Sequence, residues 1–445
     1  MRNISASTKA LIALLNEPVS FWQKLKAPRD DAEILSKIGD TSEAAAIVEI
    51  IPFIFAEKRE VADAAAASVD KLIRITPPAE LAWLDWLVRE RSPYSGKHRL
   101  QWHRLSPTDL DYLESFGEFS ASLLGMASFH ASGYVREEAI KRLDRISTGI
   151  ELPFLLIRLN DWVENVRRTA QRAIVARITP RYARSLVTNL ALVTRLEKTG
   201  RDDHRQTIEA IKNLIKSPDC RTALLEGLTS SDRLVRRLCF NLAMDAPGAD
   251  LESILQQALG DQDTVIRLAA ARKVSKTLEA EALHNLLSQM KRDRFMPVRR
   301  EALRAAVERF PEQAVVELRA ALLDSHVSMR EEARYHLQKI APIDMASFYQ
   351  HALKTADEKN LSSAISGLGE SGSASNGERL LPYVSHGAAK VRKAAIRALA
   401  KLNGNAYISS FMDALMDEMP GVSREAQKAL TTKSDLTRLG HSCSL

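Results

Sequence analysis

Small and apolar residues recur along most of this chain with the spacing of a helix that buries one face. Val135 is followed four and eight positions later by Ala139 and Leu143, and the same pattern returns far downstream at Val391. At about 100° per residue, these positions lie on one stripe of a helix. The pattern therefore predicts a helix that begins near each first position, here called the anchor, and packs that stripe into a core.

The anchors recur at a nearly constant interval, which indicates an internal repeat. Neighbouring anchors are 31 or 32 residues apart, except for one interval of 38 that holds a seven-residue insertion after Thr179 and Pro180. Each interval has room for a preceding helix, so each unit is predicted to be a helix pair. The units at His204 and Asn360 are degenerate. The anchors are Val135, Val166, His204, Val235, Ile266, Val298, Met329, Asn360, Val391 and Val422.

Two charged positions accompany most anchors. An arginine directly follows the anchor in eight of the ten units, and an aspartate precedes it by five positions in five of them. A cation in the first turn of a helix opposes the helix dipole, so another group must offset it. The aspartates can do so, and they can also cap the incoming helix. We therefore expect an Asp–Arg ladder that includes Arg267, Arg299 and Arg330 with Asp261, Asp293 and Asp324.

The combined pattern, Leu-x-Asp-x-x-x-x-Val-Arg-x-x-Ala-x-x-x-Leu, resembles HEAT repeats of the short type found in bacterial phycobilin-lyase-like proteins. The resemblance covers residues 118–432. It implies an all-α fold, a right-handed α-solenoid of about ten to thirteen helix pairs. Proteins of this kind include scaffolds, nucleic-acid binders and a few enzymes, so the resemblance does not define a function.

The regions outside the regular repeats are predicted separately. Residues 1–117 do not keep the period but are apolar at helical spacing, which predicts an irregular N-terminal cap with diverged repeats, and residues 433–445 form a C-terminal tail. Residues 92–104 are predicted to be a loop that carries Lys97, Arg99 and Trp102 as candidate binding residues. Basic and aromatic side chains together suit stacking and phosphate contact. The alternative is that Trp102 anchors the loop on the helices beneath it.

Composition narrows the class of protein. The chain has 445 residues, of which 45% are hydrophobic, with only 18 Gly and 16 Pro, so a folded, helix-rich protein is expected. Three cysteines cannot form a disulfide framework. No apolar stretch reaches the length of a signal peptide or a membrane span, and we expect a cytoplasmic protein without membrane contact. The net charge of +7 permits an anionic partner without requiring one.

A search for reactive chemistry favours a protein without catalytic activity. The chain contains no HExxH, GxSxG, P-loop or GxGxxG motif, and its ten histidines are scattered. We therefore expect no metal, no cofactor and no small-molecule substrate. The Asp161–Trp162 pair invites comparison with alkylpurine DNA glycosylases built from HEAT-like repeats. Because that match is two residues long, it assigns no catalytic role.

The strongest functional signal is a pair of basic columns on the second helices. Six positions after the anchor, six of ten residues are basic and none is acidic, and two positions after it five are basic and two acidic. These positions lie opposite the buried stripe, and the resemblance implies that second helices line a concave surface. The candidate binding residues are Arg168, Arg172, Arg237, Arg272, Arg300, Arg304, Lys393 and Arg397.

Two interpretations of these columns remain open. In the first, the columns bind an anionic partner, which is either an acidic protein segment or complex subunit held by a scaffold, or a nucleic acid contacted through its phosphates. In the second, they are a solvated face whose charge is neutralised by glutamates three positions earlier on the same helix, as Glu301 would neutralise Arg304. Arg172, Arg272 and Arg397 have no such glutamate. An enzyme, either a lyase or a repair glycosylase, is the least favoured function.

Overall fold

The computed structural model describes residues 3–17, 29–90, 98–278 and 280–440. Within these ranges the secondary structure consists of α-helices and short 3-10 helices, with no β-strand. This confirms the all-α solenoid of helix pairs that the repeat predicts. The chain divides into two compact units, Met1–Ile254 and Leu255–Leu445. The boundaries predicted near residues 117 and 432 separate the regular repeats from the irregular N-terminal region and the C-terminal tail, and they stay a prediction.

The second helices of the pairs begin two residues before the anchor in nine of the ten units. Their bounds are Gly133–Leu143, Glu164–Val175, Arg205–Lys216, Arg233–Ala243, Thr264–Thr277, Met296–Arg309, Val327–Ile340, Glu358–Ser371, Ala389–Asn403 and Pro420–Gly440.

The remaining α-helices either precede these or belong to the N-terminal region. Their bounds are Ala6–Asn16, Asp31–Gly39, Ile47–Ile50, Arg59–Ile75, Pro78–Glu90, Arg99–His103, Leu110–Glu114, Ser120–Ala127, Leu152–Arg158, Ala183–Thr188, Leu190–Leu196, Arg221–Gly227, Leu251–Leu259, Ala280–Lys291, Pro311–Ala321, Met345–Thr355, Gly377–Leu380 and Ile408–Ala414. Short 3-10 helices lie at Ala44–Ala46, Ile51–Phe55, Pro107–Asp109, Gly117–Phe119, Pro180–Tyr182, Pro218–Cys220, Ala374–Asn376, Leu381–Ser385 and Gly404–Tyr407.

The predicted stripe forms the core of each pair. In the unit anchored at Val298, that residue and Ala302 are fully buried, and Ala306 is 3% exposed. Small residues beside this stripe let neighbouring second helices approach closely. A Cβ at Gly369 would lie 2.4 Å from the Cβ of Ala398, so only glycine fits this crossing. At this crossing, beside the stripe, the small side chains of Gly369 and Ala398 set how closely the two helices approach.

One predicted anchor is wrong. His204 and Ile208 are buried as predicted, but Lys212 is only half-buried. The residues Thr207, Ile211 and Ile215 are all buried and the helix Arg205–Lys216 begins two residues before Thr207, so Thr207 matches the anchor position of the other units better than His204 does. Arg205 is exposed and pairs with Asp203 beside it, rather than occupying the arginine position of the repeat. The prediction failed because Arg205 stands directly after His204, as the arginine stands after the anchor in other units. Burial of apolar surface, however, decides which face of a helix is turned inward.

Candidate partner-binding surface

In eight of the ten repeat turns, a side chain accepts a hydrogen bond from the backbone two residues later. Asp293 Oδ1 accepts from the N–H of Phe295 at 2.7 Å, and Phe295 is the N-cap residue of the following helix. The predicted role needs correcting in this detail, because the aspartate binds the N-cap residue itself and not the first turn of the helix. The residues that hold this position, here called turn acceptors, are His130, Asp161, Ser230, Asp261, Asp293, Asp324, His386 and Asp417.

The arginine after each anchor joins its own turn to the next one. Arg299 Nη1 donates to the carbonyl oxygen of Asp293 at 2.9 Å, and its Nε and Nη2 donate to the two carboxylate oxygens of Asp324 at 3.0 and 2.9 Å. This confirms the expected Asp–Arg ladder. Its links in the described residues include Arg136–Asp161, Arg167–Asp202, Arg267–Asp293, Arg299–Asp324 and Arg392–Asp417.

The degenerate unit at Asn360 changes the ladder. No aspartate stands five positions before Asn360, and Arg330 instead pairs with Glu370 at the end of the next second helix. Leu361 replaces the arginine in this unit, and the following turn acceptor is His386. Both members of one link, the arginine at position 361 and the aspartate at position 386, are therefore missing. This is the expected result if each side chain is present to pair with the other.

A second ladder neutralises part of the predicted basic columns. Arg304 binds both carboxylate oxygens of Glu332 at 2.7 and 3.1 Å, and Glu332 lies three positions after the next anchor. Arg397 binds Glu425 in the same way, and Arg272 lies 3.6 Å from Glu301. Arg272 and Arg397, expected to have no glutamate partner, therefore have one in the following repeat. Their predicted availability must be corrected, because the partner is on the adjacent helix.

The Arg304–Glu332 pair remains ionised at neutral pH. The hydrogen bond from Arg304 lowers the pKa of the Glu332 carboxyl below its usual value. The same bond raises the pKa of the Arg304 guanidinium. Because these arginines are exposed, each pair adds little stability, in the range of about 0–1 kcal/mol. Their main effect is to place a negatively charged glutamate beside each of these arginines.

The other predicted residues of the columns differ in their surroundings. Arg168 is exposed and pairs with Glu164 on its own helix at 2.5 Å. Arg172 is exposed, and among the described residues its hydrogen-bond contact is with Thr169 Oγ1 at 3.5 Å. Arg237 and Arg300 are half-buried, and the Nε of Arg300 has no hydrogen-bond partner among the described residues. Lys393 is half-buried and lines a groove.

That groove lies over the degenerate unit. Ser362, Ser363 and Ser366 occupy the column positions where the unit at Val298 carries Arg300, Glu301 and Arg304. The short side chains leave two adjoining cavities of about 620 and 360 Å³, which share Ser325, Ser363 and Lys390. We call this surface the serine groove; it comprises Ser325, Ser362, Ser363, Ser366, Lys390 and Lys393.

Two lysines give the serine groove its charge. Lys390 is exposed, Lys393 is half-buried, and neither forms an ion pair with any described residue. The nearby Asp324 and Glu425 are already paired with Arg299 and Arg397. The groove therefore keeps positive charge that no ion pair compensates, a property that Arg172 shares elsewhere in the columns. Lys393 was among the candidate binding residues predicted from the sequence, but Lys390 and the serines were not. The serines in place of charged residues at positions 362 and 366 could have been noticed in the sequence.

The segment predicted as a binding loop needs correcting. Lys97 lies outside the described residues, but Arg99–His103 is a helix. Arg99 is buried and pairs with Glu49, while Trp102 is 4% exposed and packs edge-on against His130. His130 Nε2 donates to the carbonyl oxygen of Trp102 at 3.1 Å. These contacts match the alternative in which Trp102 anchors the segment, and neither residue is available to a ligand.

The described residues show little that resembles a reaction centre. They contain no group of three or more His, Cys, Asp or Glu side chains placed to hold a metal ion. Burial raises the pKa of the Cys239 thiol to about 12, so this thiol stays protonated at neutral pH. Among the described helices, none combines the length and apolar character required to cross a membrane.

Comparison with known proteins identifies the repeat class. The HEAT repeats family matches residues 345–431. Residues 345–431 therefore match HEAT repeats, and the helix pairs that precede this segment continue the same spacing. No curated protein matches the chain in sequence.

Solved structures with a similar course of the chain have low sequence identity. An engineered protein is 15% identical, with 96% of this chain and 98% of that chain covered and a TM-score of 0.22. The Kap121p chain of the crystal structure of Kap121p bound to Nup53p is 12% identical, with 96% of this chain and 53% of that chain covered and a TM-score of 0.34. At these TM-scores the likenesses carry no argument about function.

Proposed function

We propose that the chain is a non-catalytic HEAT-repeat scaffold that binds an acidic segment of a protein partner in the serine groove. The observation that carries this proposal is the pair of lysines, Lys390 and Lys393, which form no ion pair with a described residue and lie beside the short side chains of the serine groove. Ammonium groups donate charge-assisted hydrogen bonds to carboxylates, and the short serine side chains leave room for them, although Ser366 itself donates to the carbonyl oxygen of Ser362. An extended acidic segment can therefore bind along the groove without displacing an existing ion pair.

Nucleic acid is the second candidate partner, and the exposed Arg172 with its weak contact is the observation that favours it. The second ladder argues against this candidate. A phosphate backbone presents closely spaced negative charges, whereas Arg304 and Arg397 each hold a carboxylate at the same surface. A polyanion would meet repulsion at each of these pairs. A protein segment, whose acidic residues need contact only the serine groove, avoids that repulsion.

The proposal is tested with a glutamate-rich peptide titrated against the whole chain. Lys390→Gln/Lys393→Gln should weaken binding at least tenfold, because each lost charge-assisted hydrogen bond is worth about 1.5–3 kcal/mol. The control is Lys354→Gln/Lys401→Gln, which removes two exposed lysines of the same unit outside the groove. Equal affinity of the two double variants would refute the proposal.

A parallel titration with duplex and single-stranded DNA and RNA separates the two partners. Nucleic-acid binding should fall steeply with salt, because each neutralised phosphate releases counterions. The proposal expects no nucleic-acid affinity tighter than roughly 10⁻⁴ M at low salt. Tighter binding that weakens in Arg172→Gln would favour the nucleic-acid function instead.

A further inference from the structure

A second cavity, unrelated to the basic columns, lies in the unit Met1–Ile254. It has a volume of about 390 Å³, within the range of roughly 300–1,000 Å³ typical of sites for small ligands. Three helices that are distant in sequence line it: Pro78–Glu90, Leu152–Arg158 and Leu190–Leu196. We call it the tryptophan cavity; it comprises Asp85, Trp86, Arg89, Arg158, Trp162 and Arg195.

Two tryptophan side chains in this cavity are unusually exposed. Trp86 is 55% exposed and Trp162 is 72% exposed, although large aromatic side chains are normally among the most buried in a protein. The guanidinium of Arg201 lies over the ring of Trp162 at 3.8 Å from its centroid, and Arg201 Nη1 donates to the carbonyl oxygen of Asn160. Arg201 thereby fixes the indole of Trp162 at the edge of the cavity. Two such rings provide flat apolar surfaces for an aromatic ligand.

Behind the tryptophans lies a buried ion network with an excess of positive charge. Arg158, 2% exposed, donates to both Asp85 and Asp161. Arg89 donates to the other oxygen of Asp85 at 2.6 Å, and Arg136 binds both oxygens of Asp161. Three guanidinium groups thus share two carboxylates. At the exposed edge the lining also includes Arg195, Arg201 and Glu90, which together add one positive charge, so the cavity retains a net attraction for an anion.

The lining residues also hold polar atoms that lack partners. Among the described residues, nine buried side-chain nitrogen and oxygen atoms have no hydrogen-bond partner, and three of them belong to this cavity. They are Arg89 Nε, Arg158 Nε and Asn160 Oδ1. Buried polar atoms are nearly always paired in folded proteins, so such a concentration at one cavity requires an explanation. The set contains two donors and one acceptor, which a ligand with a carboxylate and an N–H group would complement.

We infer that the tryptophan cavity binds the C-terminal aromatic residue of a polypeptide. One terminal residue supplies the three features that the cavity calls for. Its aromatic ring would pack on Trp86 and Trp162, its carboxylate would accept from Arg89, Arg158 and Arg195, and its backbone N–H would donate to Asn160. The inference rests on the proposed function only in taking the ligand to be a polypeptide. A phosphate group would offer acceptors alone and would leave Asn160 Oδ1 without a donor.

The test uses the quenching of tryptophan fluorescence in the whole chain by acetyl-Gly-Phe with a free carboxylate. This peptide does not absorb where tryptophan is excited, and the exposed Trp86 and Trp162 are the reporters. The C-terminal amide of the same peptide should bind at least tenfold more weakly, because it lacks the charge that pairs with arginine. Acetyl-Gly-Ala should also bind at least tenfold more weakly, because it lacks the ring.

Matched variants locate the binding site. Arg195→Gln should weaken binding of acetyl-Gly-Phe about fivefold or more, whereas Lys198→Gln, an exposed cation just beyond the same helix and outside the cavity, should leave it within twofold. Equal binding of acid and amide, or no saturable quenching at millimolar peptide, would overturn the inference. Tighter binding of adenosine monophosphate than of acetyl-Gly-Phe would assign the cavity to a nucleotide. The glutamate-rich peptide and Lys390→Gln/Lys393→Gln probe a different surface, so the two proposals fail independently.

Discussion

The Asp–Arg ladder makes a quantitative prediction at Arg299. The substitution Arg299→Ala removes two hydrogen bonds to Asp324 and one strong bond to the carbonyl oxygen of Asp293. Asp324 keeps only the N–H of His326, so its carboxylate loses its counter-ion in a half-buried turn. The damage therefore comes from the aspartate left behind as much as from the lost arginine.

The degree of burial sets the magnitude. Breaking a buried ion pair by removing one partner costs about 3–5 kcal/mol, and an exposed pair contributes about 0–1 kcal/mol. The side chains of Arg299 and Asp324 are 16% and 15% exposed. We therefore expect a loss of about 2–3 kcal/mol in the free energy of unfolding. For a compact unit of this size, that loss lowers Tm by roughly 5–10 °C.

The assay is thermal unfolding followed by circular dichroism, with the adjacent Arg300 as control. Arg300→Ala removes an arginine of the same helix that is not part of the ladder, so Tm should change by less than roughly 2 °C. A double-mutant cycle with Asp324→Asn isolates the pair. Because the asparagine carries no charge, Arg299→Ala/Asp324→Asn should lose less stability than the sum of the two single variants.

Two results would contradict this reasoning. A Tm for Arg299→Ala within about 1 °C of the parent would show that the ladder contributes no net stability. Additive effects in the double-mutant cycle would show that Arg299 stabilises the turn without Asp324. Unchanged melting combined with lost binding of the glutamate-rich peptide would instead assign Arg299 to ligand binding.

Two further predictions test other parts of the fold. Burial lowers the pKa of His130 to about 4, so the native turn holds the neutral ring. The resulting stabilisation is complete above the unfolded pKa of about 6.5 and is lost, by roughly 2–3 kcal/mol, as the pH falls toward 4. The substitution His130→Asn keeps an acceptor for the turn and should flatten this pH dependence of Tm, and an unchanged slope would refute the assignment. A Cβ at Gly367 would lie 2.1 Å from the ring of Tyr349, whereas one at Gly387 would meet no atom within 4 Å. In chemical unfolding, Gly367→Ala should therefore lower the free energy of unfolding by about 1–3 kcal/mol, and Gly387→Ala should not. Equal midpoints of unfolding would show that Tyr349 moves without cost.

The repeat and its first ladder could be predicted because their signals are local or periodic. The stripe at the anchor and four and eight positions later follows from helix geometry, and the aspartate and arginine columns recur often enough to suggest each other. The predicted anchor at His204 was wrong because Arg205 imitates the motif, while the buried Thr207 is polar and carries no hydrophobic signal. A column of charges alone does not define which face of a helix is buried.

The second ladder and the tryptophan cavity were missed for different reasons. Arg304 and Glu332 are 28 residues apart, as are Arg397 and Glu425, so a search for glutamates on the same helix could not find them. The constant separation was nevertheless present in the sequence. The tryptophan cavity had no such signal, because three helices from separate parts of the chain bring Trp86 and Trp162 to one place. Only the packing of those helices creates it.

The first ladder has a direction along the chain. The arginine of one repeat reaches forward to the carboxylate of the next, as Arg392 does to Asp417, while that carboxylate also holds its own turn through the N–H of Met419. Removal of a downstream repeat therefore leaves an upstream arginine with only the carbonyl oxygens of its own turn, and removal of an upstream repeat leaves a downstream aspartate with only its backbone donor. Truncation from either side breaks one link and leaves one ion without its counter-ion, so each repeat depends on both of its neighbours to neutralise its charges.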